Sequence, residues 1–168
     1  VMTSHFLLTV TGPWRAGLIG ELAETTIACG GTWLINKSIH VEGRIALIIK
    51  VAAPAEQVQR LQAELSNLPG YTIEFAESAP ESEASPRPVD ISFRAHDRSG
   101  LTRDIHRVFD DSGLVTEHLD VQRLAVAGIG ESVFTCRATA LLPEDCDVDE
   151  LRAELEAIEP GAVVELEN

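Results

Sequence analysis

"HDRSG", His96 to Gly100, stands where one hydrophobic rhythm gives way to another. Before it Val89, Ile91, Phe93 and Ala95 alternate, the two-residue period of a half-buried strand. After it Leu101, Ile105, Val108 and Phe109 recur at helical spacing. Earlier in the chain "GPWRAG", Gly12 to Gly17, has the same setting: an apolar strand over Phe6–Thr11, then a helix stripe of Leu18, Ile19, Leu22, Ala23, Thr26 and Ile27. Gly17 and Gly100 lie 83 residues apart, and each is followed by Leu. A strand–turn–helix corner built twice means that the whole chain is to be read as a repeat.

Working outward, the two copies keep one order. In the first, Gly30-Gly31 ends the helix, since glycine tolerates the left-handed position past a helix C-terminus. A strand near Trp33–Val41 and a turn at Glu42-Gly43 follow, and Ile45, Leu47, Ile49 and Val51 alternate on the next strand. Pro54 is expected to open a helix, where its missing N–H costs little, with Val58, Leu61, Leu65 and Leu68 as the stripe. Tyr71, Ile73 and Phe75 alternate on a last strand. In the second copy the helix ends at Gly113 and the hairpin runs through "AVAGIGES", longer than its counterpart. Pro143 precedes a helix with Leu151, Leu155 and Ile158, and Val163–Leu166 is the final strand. The order β-α-β-β-α-β, twice, predicts an α+β chain of two ferredoxin-like domains, each an antiparallel sheet with its helices on one face.

"SAPESEASPRP", Ser78 to Pro88, has no hydrophobic face and reads as a linker, least fixed at Glu81–Ser85. The expected domains are residues 3–77 and 89–168, each small enough that association is expected.

Charge narrows the function. Residues 1–77 carry 5 Lys/Arg and 7 Asp/Glu, and residues 78–168 carry 8 and 20, for a net charge of −14. Neither part offers the basic patch that phosphate neutralisation demands, so direct nucleic-acid binding is not expected. No apolar run approaches a membrane span. The start lacks a basic n-region and a cleavage site, so no signal peptide is expected, and Val1 ahead of Met2 reads as an extraneous addition. Three cysteines, Cys29, Cys136 and Cys146, without C-x-x-C spacing predict reduced thiols in a cytoplasmic protein, with Cys29 and Cys136 as small core residues.

Catalytic patterns are missing. His5, His40, His96, His106 and His118 have no H-x-x-x-H or H-E-x-x-H spacing, so no metal or other cofactor is expected. "GPWRAGLI" has the glycine spacing of a P-loop without its Lys-Ser/Thr, and G-x-S-x-G is absent. His96, Asp97 and Ser99, neighbours on a strand and turn, point in different directions and make no triad. The protein is therefore read as non-enzymatic.

Two β-α-β-β-α-β units, each with a strand–turn–Gly–Leu–helix corner, resemble tandem ACT domains, the regulatory modules that bind amino acids and related small molecules. "GGTWLINKS", Gly30 to Ser38, and "DRSGL", Asp97 to Leu101, resemble stretches of proteins similar to the glycine cleavage system transcriptional repressor. The likeness runs from Phe6 to Leu166 and implies ligand contacts at the corners. These would be Trp14, Arg15, Ala16 and Gly17 in the first, and Asp97, Arg98, Ser99, Gly100 and Leu101 in the second. The second strand of a neighbouring domain would add Trp33 and Asn36 or Thr116 and Glu117. The chain departs from the family at Trp14, which lacks an acidic acceptor, and at Val115, where relatives often have Asn.

The chemistry of such a corner is simple. Its glycine allows close approach, and the first N–H groups of the following helix are unpaired and partly positive, so an anion can rest there. The second corner is expected to be the working one, with Asp97 accepting from a ligand ammonium and Arg98 pairing with its carboxylate. A bulky residue at Gly100 should then block ligand with little loss of fold, provided its φ is negative. Plainer roles fit some of the same residues: Asp97 as a helix cap, Gly17 and Gly100 as packing glycines, and Trp33 as core or interface; Trp14, next to a turn proline, is less easily explained as core and is the better candidate for a functional or dimer surface. Two readings follow. One is a sensor that binds a small molecule, an amino acid by resemblance, forms a homodimer and acts through a regulatory protein partner. The other is a ligand-free interaction module.

Overall fold

The computed structural model describes residues 2–79 and 86–168. The chain divides into two compact units, Val1–Glu81 and Ser82–Asn168. The first contains β1 (Thr3–Pro13), α1 (Leu18–Ala28), β2 (Thr32–Val41), β3 (Arg44–Pro54), α2 (Val58–Ser66) and β4 (Thr72–Glu77). The second contains β5 (Arg87–His96), α3 (Leu101–Asp111), β6 (Val115–Ala125), β7 (Ser132–Leu142), α4 (Val148–Glu156) and β8 (Val163–Glu167). The sheets run β2-β3-β1-β4 and β6-β7-β5-β8, all pairs antiparallel. The fold is α+β, two ferredoxin-like halves.

Alternation on the strands makes the core. Phe6, Leu8 and Val10 of β1 and Leu47, Ile49 and Val51 of β3 meet Leu18 and Leu22 of α1 and Leu61 and Leu65 of α2. In the second unit Phe93 of β5 and Phe134 of β7 pack edge to face at 6.1 Å, beneath Leu101, Ile105 and Phe109 of α3 and Leu151 and Leu155 of α4. The helices cover one face of each sheet; the other carries none. The repeat extends to its irregularities. Register slips in β2 between Trp33 and Ile35 and in β6 between Thr116 and His118, so Leu34 and Glu117 are bulge residues at the same 83-residue offset.

Several expectations are corrected. Ile27, assigned to the α1 stripe, is 70% exposed. It lies nine residues after Leu18, half a turn away on a helix of 3.6 residues per turn. Pro54 ends β3 rather than opening α2; a 3-10 turn, Ala55–Gln57, intervenes. Leu68 lies past the end of α2 yet still packs on the core. Arg87 and Pro88, placed in the linker, pair with Leu142 and Leu141 at the start of β5, where a proline is tolerated. The stretch Glu81–Ser85 lies outside the described residues.

Candidate functional site

At the first corner β1 runs to Pro13 beneath Tyr71. A Cβ on Gly12 would run into Cδ1 of the Tyr71 ring, so the ring occupies the place of a side chain. The Tyr71 hydroxyl donates to the Pro13 carbonyl. Trp14 donates its backbone N–H to Gly43 at 2.8 Å and stacks on His40, with centroids 5.3 Å apart and planes 13° apart. Arg15 pairs with Glu21 and lies 5.9 Å from the Tyr71 ring centre. The chain then turns at Gly17, φ 85°, and Leu18 drops into the core.

The second corner follows the same path, turning at Gly100, φ 88°, before the buried Leu101. The Gly–Leu pair thus joins a left-handed residue to a core anchor, and both positions need their residue type for the fold itself. Because φ is positive at Gly17 and Gly100, a leucine at either would strain the backbone, which withdraws the expectation of a harmless bulky block. At Gly100 an added Cβ would also lie 2.9 Å from Arg103 Nη2.

Asp97 does not cap α3. The N-cap is Gly100 and no side chain caps the helix; Asp97 Oδ1 instead accepts from Arg123 Nε of β6 at 3.0 Å. Arg123 in turn lies over the Phe134 ring at 5.3 Å. Arg98, expected to await a ligand carboxylate, is engaged by the protein. It donates through Nε to Glu159, through Nη1 to the Ser99 carbonyl, and through Nη2 to Asp104 and the Ile158 carbonyl. Arg103 first and Arg98 second hold the Asp104 carboxyl below the usual carboxylate range, against its partial desolvation.

The helix starts differ in a telling way. At α4 Asp147 accepts from the N–H groups of Asp149 and Glu150. At α1 and α3 no side chain does so; at α1 the Leu18 N–H turns to the Arg15 carbonyl at 3.4 Å, while the first-turn N–H groups of α3 are left without a side-chain acceptor. Beside the second corner a cavity of about 530 Å³ is lined by His96, Asp97, Gly130, Glu131 and Ser132.

The strand candidates lie elsewhere in their units. Through β7, Thr116 registers with Ala140 and so with Val89, whereas the corner follows His96. Seven residues of strand separate them, about 23 Å at roughly 3.3 Å each. Glu117 is the adjoining bulge residue. Trp33 likewise registers through Val51 with Phe6, and Asn36 through Ile49 with Leu8, both distant from Gly12. Trp33 is packing: its indole N–H donates to Thr26 Oγ1 at 3.0 Å, and that hydroxyl donates to the Leu22 carbonyl. The residues that sequence reasoning missed are His40 and Tyr71 at the first corner, and Arg123, Asp104 and Glu159 at the second. Arg123 and Glu159 come from segments 26 and 61 residues away, with no local signal.

Among the described residues no three His, Cys, Asp or Glu side chains converge as a metal site, and no helix is long and apolar enough to cross a membrane. Residues 4–71 match the family model of the ACT domain. A crystal structure of an unknown protein from Galdieria sulphuraria is similar at 20% identity, covering 99% of this chain and 98% of that one, with a TM-score of 0.87. A second, provisionally described as a glycine cleavage system transcriptional repressor, is 15% identical over 100% of this chain and 99% of that one, with a TM-score of 0.74. At such identities the likeness is one of fold. None of the curated proteins matches the sequence.

Proposed function

From a tandem ACT-like fold, with residues 4–71 matching the ACT domain, we propose that this chain is a non-enzymatic regulatory protein. Its second corner takes a small zwitterion, an amino acid, and it acts by self-association and through a protein partner. Control of amino-acid metabolism is the role this suggests, with glycine cleavage the process named for one similar structure.

One observation carries the reading. Asp97 lines a cavity with His96, Gly130, Glu131 and Ser132, and three residues on the chain turns into the uncapped start of α3. A ligand carboxylate would rest on the first N–H groups of α3, where the helix dipole favours negative charge. The ligand ammonium would meet Asp97 Oδ2, since Arg123 engages Oδ1. Leu101 anchors the corner, Gly100 makes its left-handed turn, and Arg98 keeps its shape. Regulation follows if ligand affinity differs between two states of the protein.

Calorimetric titration with the common amino acids tests this. The expected result is binding of one or a few, weakened more than about tenfold by Asp97→Ala, as for loss of a charged hydrogen bond, and unchanged by Arg15→Ala at the first corner. The reverse pattern would assign the site to Trp14–Gly17. No binding at all would leave the ligand-free interaction module, which one feature favours: Arg98 and Trp14 already find partners within the protein.

A further inference from the structure

The two sheets differ on the face that carries no helix. Register across the first sheet sets Lys37, Ile48, Thr9 and Glu74 in one row on β2, β3, β1 and β4. Ile35 and Ile39 flank that row on the same face, and Ile35, Ile39 and Ile48 are 49%, 51% and 53% exposed. The matching row of the second sheet is Asp120, Arg137, Ser92 and Glu165. Three half-exposed isoleucines on adjacent strands, interspersed with Lys37 and Lys50, are more apolar surface than a solvated sheet face needs.

We propose that the helix-free face of the first sheet docks on the same face of a second copy of this chain. The two-fold axis runs along the strands between β3 and β1, with Lys37 against Glu74 of the partner subunit. This takes from the reading above only that the chain self-associates; the ligand plays no part in it.

Charge complementarity selects the occupant and the axis. Two faces related by a two-fold axis must lie on either side of it, so the axis runs in the plane between them. Directed along the strands, it carries β2 over β4. Lys37 then faces the partner's Glu74, Glu74 faces the partner's Lys37, and Ile48 lies over the partner's Thr9. Directed across the strands through that same row, it would set Lys37 over the partner's Lys37. The contact is isologous and closes on itself. The same operation on the second sheet would oppose Asp120 to the partner's Glu165, like against like, so that face is not the one.

A charge swap tests the pairing cleanly. Within one chain Lys37 and Glu74 stand three strand spacings apart, about 14 Å. That exceeds the screening length of about 8 Å at physiological salt, so they cannot couple internally. Sedimentation equilibrium of the full chain, from micromolar to millimolar, should show a reversible dimer. Lys37→Glu and Glu74→Lys should each weaken it more than about tenfold, because each creates two like-charge contacts. The double swap should return to within about threefold of the original. Ile48→Asp, folded by circular dichroism, should abolish the dimer. A dimer indifferent to these changes, or singles that the double swap does not rescue, would overturn this face and pairing while leaving self-association intact. A monomer at every concentration would overturn both.

Discussion

Asp97 at the end of β5 accepts a hydrogen bond from Arg123 Nε of β6 at 3.0 Å, joining the corner to a strand two places away in its sheet. The carboxylate thereby turns from the helix start it was expected to cap. Arg123 is half exposed, so the pair is a surface ion pair. A double-mutant cycle of Asp97→Ala and Arg123→Ala, read by urea unfolding, should give a coupling of about 0.2–1 kcal/mol. A coupling near zero would mean that Arg123 does not orient Asp97.

Arg98 binds two carboxylates and two carbonyls at once. Lysine keeps the charge but not the planar fork, so Arg98→Lys should melt close to Arg98→Ala and well below the original. A lysine variant as stable as the original would show that only the charge matters there.

Two glycines of the first unit should respond in opposite senses to alanine. A Cβ on Gly31 would stand 2.7 Å from Thr26 Cγ2 and 3.1 Å from the Thr26 carbonyl oxygen, so Gly31→Ala should cost about 1–3 kcal/mol. Gly20, inside α1, has nothing within 4 Å of that position, so Gly20→Ala should stabilise by about 0.5–1 kcal/mol. Thermal unfolding of both variants checks the pair of signs.

Burial first, and Asp120 second, push the Cys136 thiol up to about 11. At pH 8 only about one molecule in a thousand would carry that thiolate, and Cys29 is buried as well. A disulfide reagent at pH 8 should therefore titrate one thiol in the native protein, the partly exposed Cys146, and three after unfolding. Cys146 should react slowly, because burial raises its pKa more than Arg87 lowers it.

Asp104 sets an acid limit on the second corner. Its pKa is depressed in the folded chain by Arg103 and Arg98. The associated stability is therefore present above the unfolded value, about 3.9, and is lost as pH falls through the lower folded value. Melting temperatures between pH 5 and 8 should not respond to this group. Below about pH 4 the original should lose stability, while Asp104→Asn, less stable at neutral pH, should show a flatter decline.

The repeat was legible because it is written in local periods. Alternation at Val89–Ala95 and helical spacing from Leu101 belong to backbone geometry, which neighbouring residues impose on one another. Gly17-Leu18 and Gly100-Leu101 marked the corners for the same reason: a left-handed turn and the first buried helix position are adjacent in sequence. Even the limits of such reading are local, as Ile27 shows, where an apolar residue continued a pattern whose geometry had already rotated it to water.

What sequence alone determined was therefore the order of elements, the doubling of the unit and the place of each corner. Tertiary structure alone decided what the corner residues do. Arg98 looked free until the turn after α4 brought Glu159 and the Ile158 carbonyl to it, and Asp97 looked like a cap until β6 brought Arg123. Likewise Lys37 and Glu74 share a row only because β2 and β4 flank a common pair of strands. Partnerships of this kind join segments tens of residues apart through the register of a sheet, and no spacing along the chain encodes that register directly.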